Sequence, residues 1–165
     1  MDEKQFWDLI EQSRENSSSC DEQGEKLVEL LEELETEEII GFAKQRFEIS
    51  IKAYRWDLWA VAYIINGGCS EDGFAYFRAW LIGQGREFFE IVLNHPERAA
   101  ERVIDGEDAE CEAILYACSY AYERKMSQEI PDLDCYYPLE PTGEKWQQDD
   151  LEFLYPMLCQ HFFDK

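Results

Sequence analysis

Positive charge is what this chain has least of for its size. Fifteen lysines and arginines stand against 37 aspartates and glutamates in 165 residues, a formal net charge of −22. A surface of that sign repels duplex DNA, RNA and anionic membranes, which bind through bases. Nucleic acid and membrane are therefore excluded as partners, and a basic protein fits better. Histidine is scarce too: His95 precedes a proline and His161 lies near the C-terminus, both surface or cap candidates. Cys159 and His161 are two apart on an expected helix, so they point apart and make a poor metal pair. No run of eighteen apolar residues is present, and the acidic start MDEKQFWDLIEQ has neither the basic nor the apolar region of a leader. This points to a cytoplasmic protein. G-x-S-x-G, a phosphate-cradling glycine loop, H-E-x-x-H and calcium-loop spacing are all missing, so no catalytic residue, cofactor or metal set is assigned. Six cysteines occur without a C-x-x-C pair and read as reduced thiols, several of them in the core.

Aromatic and apolar side chains are plentiful, and they concentrate between Tyr54 and Gly85, which holds three of the five tryptophans. Residues 51–100 carry six acids against five bases, whereas the first fifty carry fifteen against five and the last sixty-five sixteen against five. The nearly neutral middle is the expected core, and the flanks supply the charge. Ile49 to Ile65 is apolar on almost every helical face, the pattern of a buried helix. Gly67 suits the left-handed residue that ends it. Ser70 reads as the N-cap of a second helix, with Glu71 and Asp72 in its first turn and Cys69 and Phe74 spaced as a hydrophobic staple. Folded as an antiparallel hairpin, the two helices place Asp57 opposite Arg78. Arg55, two residues from Asp57, would lie on nearly the opposite helical face. The Asp57–Arg78 pair is either a buried structural ion pair or a polar site in a pocket of Trp56, Trp59, Tyr63 and Trp80, with Ser70 at its edge. Tyr136 and Tyr137 could close it. Arg55, Arg78 and Arg86 could also hold an anion, were Asp57 and Glu87 not there to neutralise them.

Elsewhere the spacing predicts helices throughout. The first starts at Asp2; the polar run from Ser13 to Gly24 is a connection. Leu27 to Leu34 forms an amphipathic helix. A long helix runs from Thr36 to Tyr63, with a kink expected near Gly41 or Ser50. Arg86 to Leu93 is a short helix, Pro96 starts another, and Asp108 caps the one carrying Cys111, Ile114, Cys118 and Tyr122. From Ser127 to Lys145 the pattern fails, and prolines with Tyr136 and Tyr137 mark an ordered loop, either a strap or one wall of a cleft. A last helix spans Gln148 to Phe163, interrupted at Pro156. Asp132 with Asp134, and Asp149 with Asp150, are caps or weak cation sites. No strand-like alternation appears, so the expectation is all-α, one domain over 1–165.

The run from Trp56-Asp57-Leu58-Trp59 through Ile65-Asn66-Gly67-Gly68-Cys69-Ser70 to Tyr76-Phe77-Arg78 and Trp80-Leu81-Ile82 resembles a bacterial family of uncharacterised proteins, a domain of unknown function. The likeness extends over residues 2 to about 126. Glu71 stands where that family has an aspartate, which leaves the acidic first turn intact. The resemblance implies a bacterial cytoplasmic protein and brings no activity and no catalytic residues. Two functions follow from the residues. One is a non-enzymatic module that engages a basic macromolecule, as an immunity or regulatory protein would. The other is a small-molecule site or enzyme built around Asp57 and Arg78. Oligomeric state is not legible.

Overall fold

The computed structural model describes residues 1–163. Among them every regular element is helical: α1 Glu3–Arg14, α2 Cys20–Glu32, α3 Thr36–Lys52, α4 Trp56–Asn66, α5 Glu71–Gly83, α6 Arg86–Asn94, α7 Glu112–Leu115, α8 Ala117–Met126, α9 Leu151–Leu154 and α10 Pro156–Phe163, with 3-10 turns at Pro96–Arg102 and Gln148–Asp150. The all-α expectation is met. Their buried apolar side chains form one contiguous cluster, in which Phe6, Phe42, Phe74, Phe77 and Phe89 are fully enclosed.

Local chemistry sets most of the helix ends. Asp2 caps α1 in a reciprocal box: its carboxylate accepts from the Gln5 N–H, and the Gln5 side chain accepts from the Asp2 N–H. Ser19 caps α2 through an Oγ that accepts from the Glu22 N–H, so the helix begins inside the polar run read as a connection. Gly67 ends α4 at φ 67°, the left-handed conformation expected of it. Ser70 Oγ accepts from the Gly73 N–H at the start of α5.

Three expectations are corrected. The long helix is broken rather than kinked: Ala53, Tyr54 and Arg55 separate α3 from α4, and the buried helix read as Ile49 to Ile65 starts at Trp56. The cause lies far along the chain. Thr142 accepts from the Trp56 N–H (2.9 Å) and donates to the Tyr54 carbonyl (3.0 Å), a parallel bridge that holds Arg55 extended. The second concerns Asp108: the helix beyond it begins only after Cys111 and is split at Tyr116 into α7 and α8. Third, the cysteines are not all reduced thiols. Cys20 at the start of α2 and Cys111 just before α7 form a disulfide, their Cα atoms 5.7 Å apart. It fastens a tight crossing, because a Cβ on Gly24 one turn later would overlap Ala113.

α4 and α5 supply much of the core, but they pack on different neighbours. α4 lies mainly against α10 and the Pro96–Arg102 turn, while α5 lies mainly against α7. Residues 127–147 contain no helix and form a strap over the α3–α4 junction. Besides the Thr142 bridge, Trp146 Nε1 donates to the Trp56 carbonyl at 2.7 Å, and the Trp146 ring sits edge-on to Tyr63.

Candidate functional site

The break before α4 decides where Asp57 finds its partner. Because Arg55 is the N-cap and extended (φ −135°, ψ 144°), the helical argument that separates side chains two residues apart does not apply to it. Its guanidinium turns back on Asp57 in a fork: Nε donates to Oδ1 at 3.0 Å and Nη2 to Oδ2 at 2.6 Å, while Nη1 donates to the Leu93 carbonyl at 2.8 Å. The Leu58 N–H adds a bond to Oδ1. The expected Asp57–Arg78 pair is therefore replaced by Asp57–Arg55, and the latter is half-open to solvent, with side-chain exposures of 40% and 27%.

This pair forms part of the wall of a cleft of about 470 Å³ between the start of α4, the strap and α9. Residues 142–146 of the strap line it, together with Asp150, Phe153, Leu154 and Tyr155. Phe153 is 88% exposed, an unusual position for a phenyl ring. Lys145 lies over the Trp56 ring, 5.1 Å from its centre. Burial raises the pKa of Tyr155, and the Asp57 carboxylate raises it further. The phenol therefore stays protonated at neutral pH.

Arg78 lies elsewhere and is treated differently. It is 3% exposed, and its guanidinium carbon sits 4.6 Å from the Phe74 ring centre, 4.8 Å from Tyr54 and 4.9 Å from Tyr137. No carboxylate reaches it among the described residues, and its Nε and Nη1 have no hydrogen-bond acceptor. Nor does Nε of Arg46, a half-buried residue of α3. Burial lowers the pKa of Arg78; the Tyr137 and Tyr54 oxygens oppose this and the like charge of Arg46 reinforces it. Removing an ion from water costs several kcal/mol. Each ring face returns about 0.5–2 kcal/mol, and each donor left without an acceptor costs about 1–3 kcal/mol. The cage offsets part of the penalty and leaves the N–H groups unmatched.

Tyr137 is the outer wall of this cage. It comes from the strap, packs its ring on Phe47 (4.5 Å) and Tyr54 (5.1 Å), and donates its hydroxyl to Ser50 Oγ at 3.0 Å. Its other side faces solvent.

The remaining expected site residues connect these two places. Trp56, Trp59, Phe74, Phe77 and Trp80 form a ladder of near-parallel rings, with successive centres 4.9–6.4 Å apart. Trp59 Nε1 donates to the Cys69 carbonyl, and Tyr63 abuts Trp146. Trp80 ends the ladder beside a hollow of about 220 Å³ near the disulfide. Ser70 is a helix cap. The anticipated single pocket is thus two sites: Asp57 lines the cleft, Trp56 and Tyr63 adjoin it through their contacts with Lys145 and Trp146, and Arg78 belongs to the cage. Burial pushes the Cys69 thiol up to about 12, and Glu110 acts in the same direction, so it is inert at neutral pH. Asp132 and Asp150 accept backbone N–H bonds from Asp134 and Gln147, as turn and cap residues do. The sequence does not single out Arg46, and it marks Ser50 only as a kink site and Tyr54 only as the edge of the core. Their spacing of four is the signal that would have grouped them.

No helix among the described residues is long and apolar enough to cross a membrane. No curated protein and no solved structure matches the chain. One family model, described as "Protein of unknown function (DUF4240)", matches residues 1–124, which include α1 to α7 and most of α8, both arginines, Asp57 and the aromatic ladder, but neither Tyr137 nor the Trp146 side of the cleft. The chain belongs to the DUF4240 family.

Proposed function

We propose that the protein is a non-enzymatic binding module whose outer cleft receives a cationic segment of a basic protein, in the manner of an immunity or regulatory protein. The observation that carries this is an exposed Phe153 in a cleft that Trp146 and Tyr155 also line, with Glu144 and Asp150 among the lining residues. Arg55 pairs with Asp57 and Lys145 is folded over Trp56, and among the described residues no base forms an ion pair with Glu144 or Asp150. Aromatic faces beside carboxylates are what a lysine or arginine side chain binds. The wider surface supports the same reading. Lys4, Arg14, Lys52, Arg86, Arg98 and Arg124 each hold a carboxylate of the chain, so a visitor meets surplus negative charge. Such a field speeds encounter with a basic partner.

The test is a titration with a peptide of alternating arginine and leucine, read by tryptophan fluorescence because Trp146 lines the cleft. Glu144→Lys combined with Phe153→Ala should weaken binding about tenfold, and added salt should weaken it further. Equal binding by the double variant, or by a peptide with glutamate in place of arginine, sinks the reading. The location that accompanies it is the bacterial cytoplasm. A reducing compartment would keep Cys20 and Cys111 as thiols, so alkylation inside the cell followed by unfolding should label all six cysteines there; labelling of only the four free ones would sink the cytoplasmic location.

A further inference from the structure

We infer that Arg78 and Arg46 form a binding site for the oxyanion of a small ligand, and that Tyr137 of the strap closes this site. The inference is independent of the outer cleft. It rests on a buried cation without a counter-ion among the described residues, in a protein whose acids exceed its bases by 22.

The groups around the site come from four elements. α3 contributes Arg46, Phe47 and Ser50; the break after it contributes Tyr54; α5 contributes Phe74 and Arg78; the strap contributes Tyr137. None is a carboxylate. Burial raises the pKa of the Tyr54 phenol and Glu71 and Glu140 add to it, yet neither carboxylate pairs with either arginine. Burial and, less strongly, the like charge of Arg46 lower the pKa of Arg78, and Nε and Nη1 of Arg78 and Nε of Arg46 have no acceptor. A carboxylate or a phosphate satisfies both defects at once: it supplies acceptors for these donors and cancels the repulsion. The donors belong to rigidly packed helices, so the site is organised before the ligand arrives.

Entry requires one wall to move, and only one is built to do so. Phe74 is wholly enclosed and Tyr54 nearly so, whereas Tyr137 is 37% exposed and lies on the helix-free strap. Its hydroxyl bond is to a side chain, Ser50 Oγ. Turning the Tyr137 ring outward uncovers the guanidinium and frees Ser50 Oγ to donate to the same anion. The space released is that of a phenyl ring, bounded by Phe47 and Tyr54. The ligand is therefore an oxyanion joined to a flat apolar group, which takes the place of the ring while its charge engages the arginines.

Benzoate and phenyl phosphate probe the two sources of such an oxyanion, with acetate and inorganic phosphate as controls lacking the ring. Binding is followed by calorimetry and by the ¹⁵N-resolved Nε–H signal of Arg78. One aryl anion should bind and shift that signal, more tightly than its ring-free control. Arg46→Gln, at a half-buried position that leaves the core intact, should weaken it about tenfold. Tyr137→Ala should strengthen it, since the closed form no longer competes. If Arg78→Met fails to fold, these two variants still decide the matter. The assignment is overturned if neither aryl anion binds the wild type or Tyr137→Ala, or if binding is unchanged in both Arg46→Gln and Tyr137→Ala. A preference for benzoate assigns a carboxylate ligand, and a preference for phenyl phosphate assigns a phosphate ester.

Discussion

Arg55 and Arg78 lie in one short stretch of sequence and meet opposite fates. Arg55 stands at a helix start, half in water, with carboxylate oxygens on Nε and Nη2 and a carbonyl on Nη1. Arg78 is in mid-helix, almost fully buried, with aromatic faces in place of acceptors. The first is what a structural arginine looks like when its hydrogen bonds are complete. The second is held in place by shape and left chemically unfinished, and the contrast is what assigns a ligand to one and not to the other. It also explains why Asp57 belongs with the cleft. Its charge is already matched, so it shapes that wall without leaving a demand on the core.

The comparison is broken most forcefully at Arg78. Arg78→Ala leaves a void among three rings and should cost about 3 kcal/mol. Arg78→Met fills the same volume without charge and leaves no carboxylate stranded, so it should fall within about 1 kcal/mol of wild type or exceed it. Urea unfolding measures both. A methionine variant as unstable as the alanine variant would mean that the guanidinium is satisfied within the fold, and the contrast with Arg55 would collapse.

Arg55→Met should do less. The Asp57 carboxylate it abandons is already 40% exposed and can be rehydrated, so the loss should be about 1 kcal/mol, including the bond to the Leu93 carbonyl. A double-mutant cycle with Asp57→Asn isolates the ion pair. Coupling well above about 1 kcal/mol would show that the cleft pair is as sheltered as the cage, contrary to its exposure.

How far the sequence discloses these two places depends on the range of the forces that set them. The Ser70 cap, the Gly67 stop and the buried run of α5 are local, and their residues announce them. Arg78 stands out because it is a base in an apolar helix, and the strap stands out because flexible segments are not rich in tyrosine. The partner of Asp57 could not be read the same way. It depends on Thr142 bonding to Tyr54 and Trp56, a contact between distant segments that ends α3 and frees Arg55 from helical geometry. Arg46 is hidden for a similar reason, being one charged residue among many on α3. The Cys20–Cys111 bond joins positions 91 residues apart, and nothing in either neighbourhood marks it.

Cys69 offers the finest reading of the contrast, because its thiol lies in the field of Arg78 and not in that of Arg55. Burial is the main cause of its rise from 9.0 to about 12; Glu110 adds to it and Arg78 opposes it. In the unfolded chain the thiol ionises near its ordinary value, while the folded protein keeps it protonated. The stabilisation from this group is therefore complete below about pH 9 and declines as pH rises toward 12. Wild type should lose stability over that window relative to Cys69→Ala, which has no thiol to ionise. Arg78→Met removes the opposing charge, so Cys69 should titrate higher still and its alkylation at alkaline pH should slow. Arg55→Met should leave the alkylation rate as it is. A thiol that responds equally to both substitutions would show that the two arginines share one electrostatic environment, and the division into cleft and cage would be wrong.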